Sequence, residues 1–355
     1  MSERAVTRRQ TLGRLGSIVA DTVAGAQPPR AEAGVRLAPR DQLVNVLEYE
    51  EQAKRILGSS AYSAIAGGDR SAFERITLRP RMMVPVLDLD LGLTLCGQSL
   101  FAPILVAPIA QQTQFHPDGE RATMKGASAA RAVTVVSSHS AVPLTELVGQ
   151  DRSVWYQVFS QDPSAGPRMQ DAVKAGCKAI CVTLGTPPAA NGARPAASTV
   201  KAELAAFRAL ARSVDVPVLA KGIATPDEAT QALQHGAQGL IVSSYRGAAA
   251  RDPDGLILKL PAIIDAVGGR VPVLVDGGFR RGTDILKALA FGAQAVLVGR
   301  PVMWGLAAYG ADGVRGVLEM LQTELARYMA MCGKSNLAML DRTLLRVHAV
   351  TRTKN

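Results

Sequence analysis

The 355-residue chain is poor in aromatic side chains, with Phe, Tyr and Trp together at 4%, and it holds only four histidines and four cysteines. Cys96, Cys177, Cys181 and Cys332 are scattered, and Cys177 and Cys181 stand four apart instead of three. That spacing argues against a zinc or dithiol redox motif and leaves structural thiols. His116, His139, His235 and His348 form no cluster at metal-ligand spacing, so no metal centre is expected. His116 belongs to a loop-to-helix turn, His235 ends a helical segment before Gly236, and His348 lies near the chain end. No stretch of 18 apolar residues occurs, so no segment reads as a membrane span. The composition does not shift along the chain, and 48% hydrophobic content suffices for one large α/β domain with an appendage.

The formal charge of +10 is unevenly placed. Residues 1–40 hold seven arginines (Arg4, Arg8, Arg9, Arg14, Arg30, Arg36 and Arg40) against Glu3, Asp21 and Glu32, a net +4. The remainder is dispersed, with no basic stripe interleaved with aromatics, so no nucleic-acid partner is expected. Thr7-Arg8-Arg9-Gln10-Thr11-Leu12 resembles a twin-arginine export signal, with small residues at Ala24-Gly25-Ala26 for cleavage. Arg14 and Asp21 interrupt the stretch that such a signal keeps apolar. A disordered basic leader on a cytoplasmic protein is therefore the expectation, with export by the twin-arginine route as the alternative.

From residue 101 onward, short β-branched runs alternate with segments of helical spacing, the pattern of repeated βα units in a parallel sheet. Eight runs can be counted: Ile104 to Ala107, Val133 to Ser137, Val154 to Val158, Lys178 to Thr183, Val216 to Lys221, Gly239 to Ser243, Val271 to Asp276 and Ala295 to Gly299. Segments between them, such as Pro226 to His235 and Thr283 to Phe291, read as helices that close on Gly-Ala. Eight units in about 200 residues fit an α/β fold of the TIM (β/α)8 barrel type, and no Gly-x-Gly-x-x-Gly turn follows the first strand to suggest an open dinucleotide-binding sheet. Residues 1–40 are read as the leader, 41–100 as a short N-terminal helical extension capping the barrel, 101–340 as the barrel, and 341–355 as a basic tail.

Many strands end in a polar or small residue: Ser137, Gln157 next to the end of strand three, Thr183, Lys221, Ser243, Asp276 and Gly299. In a TIM barrel those ends converge on the face that carries the active site. After strand seven comes Asp276-Gly277-Gly278-Phe279-Arg280-Arg281-Gly282, and after strand eight Gly299-Arg300-Pro301. Glycines admit backbone N–H groups to an anion, arginines add charge, and the helix that follows adds its positive end. A phosphate site on these two loops is expected.

These residues resemble the FMN-dependent 2-hydroxy acid oxidase and dehydrogenase family, from about residue 41 to about 340. The likeness rests on Asn45-Val46-Leu47-Glu48-Tyr49-Glu50, Arg79-Pro80-Arg81, Ala107-Pro108-Ile109-Ala110, His116-Pro117-Asp118-Gly119-Glu120, the block Asp276 to Asp284, Lys287-Ala288-Leu289-Ala290 and Gly299-Arg300-Pro301. The resemblance implies FMN as cofactor. It sets Pro108, Ile109, Ala110 and Ser137 beside the flavin ring, Gln157 and Thr183 toward its pyrimidine edge, Lys221 near N1, and Ser243 on the next strand. Asp276, Gly277, Gly278, Arg280, Gly299 and Arg300 would take the ribityl phosphate. A fixed cation such as Lys221 stabilises the negative charge that reduction puts on the N1 side.

The chain departs from the family on the substrate side. The family reads Ser-Asn-His-Gly-(Gly or Ala)-Arg after strand six, where histidine takes the substrate proton and arginine pairs with the carboxylate; here the segment is Ser243-Ser244-Tyr245-Arg246-Gly247-Ala248. A tyrosine with a reference pKa of about 10 is a poor base at neutral pH, whereas histidine near about 6.5 is well matched. Further family positions align with Ser63, Phe159 and Gly185 in place of two tyrosines and an aspartate, and with Gly192 in place of an arginine that Arg194 would replace if the loop shifts. The connection from Leu184 to Asp215 is shorter than the family's lid. His139, just past strand two, is the candidate replacement base and Tyr245 a hydrogen-bond donor. The expectation is an FMN-dependent oxidoreductase with catalytic residues Tyr245, His139 and Lys221, acting on a small molecule that is hydroxy-acid-like or larger. A flavoprotein that binds FMN without 2-hydroxy acid turnover, as a scaffold or a non-redox enzyme, is the alternative. A homo-oligomer is expected, supported by late helical segments such as Gly313 to Met331.

Overall fold

The structure is a computed structural model and describes residues 36–68, 70–81, 86, 88–149, 153–187, 199–245 and 255–348. The twin-arginine stretch at Thr7 to Leu12, and Gly192, Arg194, Arg246 and Ala248, lie outside the described residues. Eight parallel strands close into a barrel, and every expected strand is present, with its ends matching or moved by at most two residues. They are β1 (Ile104–Val106), β2 (Thr134–Ser137), β3 (Val154–Phe159), β4 (Ala179–Thr183), β5 (Val218–Ile223), β6 (Gly239–Ser243), β7 (Val273–Asp276) and β8 (Ala295–Val298). β8 pairs with β1 through Val296↔Ile104 and Val298↔Val106, which closes the ring and leaves the barrel sheet without an edge.

The barrel wall separates two apolar clusters. Leu105, Val135, Trp155, Cys181, Leu219, Ile241, Leu274 and Leu297 point inward and fill the barrel, while their neighbours Ile104, Val136, Val154, Val182, Ala220, Leu240, Val275 and Val296 point outward into the helical shell. This is the period-2 alternation of a strand applied to a closed sheet with both faces buried. A hairpin of Leu93–Leu95 and Gln98–Leu100 packs Leu95 and Leu100 on the interior cluster and plugs its lower end.

The helices form where expected. Pro226–Gln234 starts at Thr225, whose side chain accepts the Glu228 N–H, with proline at the first turn. The late helix runs Arg300–Met331 but is broken at Tyr309 and Gly310, where φ is −139° and +57°. The two halves fold back so closely that a Cβ built on Gly313 would lie 2.0 Å from the Gly305 carbonyl oxygen. The N-terminal cap contributes the helices Val46–Ile56, begun by Asn45 accepting the Leu47 N–H, and Ser59–Ile65. Trp304 Nε1 donates to the Ile65 carbonyl at 2.7 Å and ties the second of these to the barrel mouth. The C-terminal segment read as a tail from 341 begins with a 3-10 turn, Arg342–Leu344, and continues as the strand Leu345–Val347, paired antiparallel to Ile76–Leu78. No helix among the described residues is long and apolar enough to cross a membrane, and the four cysteines are free.

The Gly305–Gly313 contact leaves no room for a methyl group. Gly313→Ala is expected to lower stability by about 2 kcal/mol or more through overpacking, read as a lower urea midpoint. Gly166→Ala, which meets nothing nearer than 3.9 Å, should be neutral or mildly stabilising.

Candidate active site

The site follows from the same alternation that fills the barrel. The last inward apolar residues of β2 to β7 are Val135, Trp155, Cys181, Leu219, Ile241 and Leu274. Two residues further along each strand stand Ser137, Gln157, Thr183, Lys221, Ser243 and Asp276. Period 2 turns all six to the same interior, one layer above the apolar fill. All but Asp276 are at most 5% exposed.

The six divide into a neutral half and a charged half. On β2 to β4, Ser137 Oγ donates to Gln157 Oε1 at 3.2 Å, and Gln157 Nε2 donates to Thr183 Oγ1 at 2.9 Å and to the Val158 carbonyl at 2.8 Å. On β5 to β7, Lys221 Nζ pairs with Asp276 Oδ2 at 2.6 Å and donates to Ser243 Oγ at 3.3 Å. A buried ammonium needs such an anion, because its desolvation is otherwise very costly. Of its three N–H donors two are thereby engaged, leaving one. β5 runs two residues past the expected end, with a register shift between Lys221 and Ile223 and Gly222 at φ +96°. Such a bulge re-aims a side chain at a barrel rim.

Eleven of the fourteen residues assigned to the cofactor line one cavity of about 590 Å³, within the size range of small-molecule sites. They are Pro108, Ile109, Ala110, Lys221, Ser243, Asp276, Gly277, Gly278, Arg280, Gly299 and Arg300. Ser137, Gln157 and Thr183 lie off this lining, buried in the neutral half. At one end of the cavity Arg280 is 3% exposed, with Nη1 donating to the Phe279 carbonyl at 2.9 Å and its guanidinium 4.7 Å from the Trp304 ring. Its Nη2 is buried with no partner. Burial, and then the neighbouring Arg300 charge, push its pKa down to about 9, still charged at neutral pH. Arg300 Nη1 donates to the Gly67 carbonyl at 2.6 Å. Two like charges and an unpartnered buried N–H call for an anion, and the loop glycines supply the approach: Gly277 and Gly278 have φ +124° and +85°, and a Cβ on Gly278 would lie 2.5 Å from the Phe73 ring. These groups fit the phosphate of FMN. The expected contribution from the following helix is altered, because Glu324 already accepts the Gly282 N–H at 2.7 Å and Asp284 accepts those of Arg280 and Arg281 at 3.0 Å each. The arginines and loop glycines are left as the anion donors.

Beside the cavity stands a group of rings. His139 and Phe159 stack edge-on at 5.6 Å, Phe159 and Tyr245 at 6.4 Å, and Lys221 Nζ lies 5.5 Å from the Tyr245 ring. Tyr245 lines the cavity; His139 and Phe159 stand beside it, off the lining. Burial and then Arg168 lower the His139 pKa, against Asp162 raising it, so the ring is neutral at pH 7. Burial and then the Asp276 carboxylate raise the Tyr245 pKa, so it keeps its proton. The first-domain position read as Ser63 is exposed and donates to Ser60, while its neighbours Ala64 and Ile65 line the cavity. Gly185 has φ +120°, and its N–H is taken by Ser160 Oγ at 3.1 Å. Sequence reasoning missed Gln114, Phe115 and Ser244 in the lining. The run Gln111-Gln112-Thr113-Gln114 directly after the first strand's Pro-Ile-Ala was the available signal for the first of them.

Fold and rim together define a TIM barrel with a cavity at the strand ends whose buried arginines and loop glycines fit a phosphate. The model of the FMN-dependent dehydrogenase family matches residues 55–211 and 196–347, and the chain belongs to that family, whose cofactor is FMN. A peroxisomal (S)-2-hydroxyacid oxidase of Arabidopsis thaliana is 35% identical over 341 residues, covering 82% of this chain and 93% of the relative. An L-lactate oxidase of Nostoc sp. is 35% identical over 359 residues, covering 85% and 98%. A solved structure of mandelate oxidase with (S)-2-phenylpropionate is similar at a TM-score of 0.78 and 33% identity, covering 87% of this chain and 100% of that one. The protein is thus related to the FMN-dependent 2-hydroxyacid oxidases, a family of oxidoreductases.

Arg280→Leu removes the buried guanidinium at similar volume. FMN affinity should fall by about 100-fold, the worth of a charge-assisted contact, while circular dichroism stays that of the parent. Undiminished FMN retention on dialysis would refute the phosphate assignment.

Proposed function

We propose that the protein is an FMN-dependent oxidoreductase whose substrate, hydroxy-acid-like or larger, is not held by the family's histidine–arginine pair. The observation that carries this reading is the one-sided character of the rim: the polar residues toward the cofactor form two hydrogen-bonded groups, whereas the other side holds His139, Phe159 and Tyr245. When bound, FMN supplies the acceptor for a hydride leaving a substrate carbon. Lys221 holds a fixed positive charge toward it, preorganised by Asp276 and Ser243, where reduction gathers negative charge. His139, neutral at pH 7 and with Nδ1 3.1 Å from Ser138 Oγ, accepts the substrate hydroxyl proton. Tyr245, protonated and half exposed, donates a hydrogen bond to the substrate oxygen. Pro108, Ile109, Ala110, Ala64 and Ile65 form the apolar wall that excludes water.

A visible absorption spectrum followed by anaerobic mixing with lactate, glycolate, mandelate and neutral secondary alcohols tests this. The expected protein is yellow, resists the small acids and is bleached by a larger or uncharged alcohol. Bleaching by a simple 2-hydroxy acid would overturn the changed-substrate reading, and a yellow protein bleached by nothing would favour FMN binding without turnover. With a bleaching substrate in hand, His139→Gln should slow reduction by about 100-fold or more and Tyr245→Phe by about tenfold. Because the base must be neutral and its pKa is lowered, the reduction rate should stay level from neutral pH down to about 6.5 and fall only at more acid pH. A fall that begins above neutrality would exclude His139.

A further inference from the structure

Two loops of the rim are bound to each other by one main-chain hydrogen bond, one side-chain amide and one buried carboxylate. Gln111, a non-glycine residue in the left-handed region at φ +53°, donates its N–H to the His139 carbonyl at 3.3 Å, and its side-chain amide reaches the same oxygen at 3.4 Å. Where the next rung of that ladder would fall, the loops meet at Glu120 instead. Its Oε1 accepts the N–H of Gln112 at 3.1 Å from the loop after β1 and the N–H of Ala141 at 3.0 Å from the loop after β2. Glu120 is 3% exposed in the first turn of the helix Gly119–Ala129, and its Oε2 has no partner. The Gln112 side chain carries the tie toward the cofactor side: Nε2 donates to the Ile109 carbonyl at 3.1 Å, and Oε1 accepts from the Thr123 hydroxyl at 2.6 Å. On the far side, the His139 N–H is held by Ser137 Oγ at 3.2 Å.

We infer that Glu120 is a positioning residue that locks the loop of Pro108 to Ala110 onto the loop of His139, so that seating of the cofactor and burial of His139 are set together. Its importance to catalysis rests on the reading of His139 as proton acceptor. A left-handed residue such as Gln111 persists only where its surroundings over-determine it, and the bonds around it provide that constraint. A carboxylate is suited to the joint because one oxygen accepts two amides, each bond strengthened by the charge.

The test uses full-length holoprotein and two readouts on opposite sides of Glu120: the Kd for FMN, and the titration of the His139 ring followed by NMR. In Glu120→Ala the Kd should rise by about tenfold or more, and the His139 midpoint should move up, because its depression comes first from burial. Arg168, which lowers that midpoint, and Asp162, which raises it, are the charged groups facing His139 and are unchanged in the variant. Glu120→Gln retains one acceptor oxygen and should move both readouts in the same direction by less. A lower melting temperature with both readouts unmoved would reduce Glu120 to a structural role and overturn the inference. Should Glu120→Ala not fold, Gln112→Leu cuts the side-chain tie to Ile109 and leaves the Glu120 bonds to the main chain. It is then expected to raise the Kd by about threefold or more, and an unchanged Kd overturns the proposal. Neither readout uses turnover, so a wild-type protein that binds FMN but oxidises nothing would refute the oxidoreductase reading and leave this one standing.

Discussion

Closure of the barrel is the constraint on which the site depends. Once β8 pairs with β1, no strand can slip by one residue without turning its interior side chains outward. The inward positions are therefore fixed as a set, with Leu, Val, Trp and Cys filling the middle and a polar residue on each of β2 to β7 one layer higher. Lys221 and Asp276 sit on strands two apart in the ring, with Ser243 on the strand between them. Their 2.6 Å contact is a product of the shared layer rather than of any local sequence signal.

The two halves of that layer have different energetic characters. Ser137, Gln157 and Thr183 satisfy one another and would remain satisfied in an empty barrel. Arg280 would not: it is buried, faces Arg300, and has an N–H with no partner. The phosphate of FMN would meet that need, and its binding there would add stability to the fold. Phe73 of the cap packs against the loop glycines, which brings the N-terminal segment up to the arginine end of the cavity.

Around Tyr245 the same scaffold carries a different set of groups. Burial and Asp276 raise the Tyr245 pKa, so its phenol is unsuited to act as a base, while burial lowers that of His139 on a neighbouring loop. The hydrogen bonds of Gln111, Gln112 and Glu120 bring that loop into line with the wall of the cavity. Function on a barrel rim is set loop by loop, so the cofactor half and the substrate half can diverge independently.

The sequence by itself determined the eight strands, the glycine–arginine loops after the last two of them, and the family. Each is encoded locally: alternation in a short run, a Gly-Gly-Phe-Arg turn, a block of matching residues. Ser63 was read for a position that the helix turns to Ala64, because one residue along a helix rotates the side chain by about 100° and only packing against Trp304 shows which face meets the cavity. The two-residue extension of β5, the fold-back at Gly305 and Gly313, the capture of the helix amides by Glu324 and Asp284, and the joint at Glu120 were invisible for the same reason. Each depends on groups far apart in the chain, and the distance between them is decided only when the barrel closes.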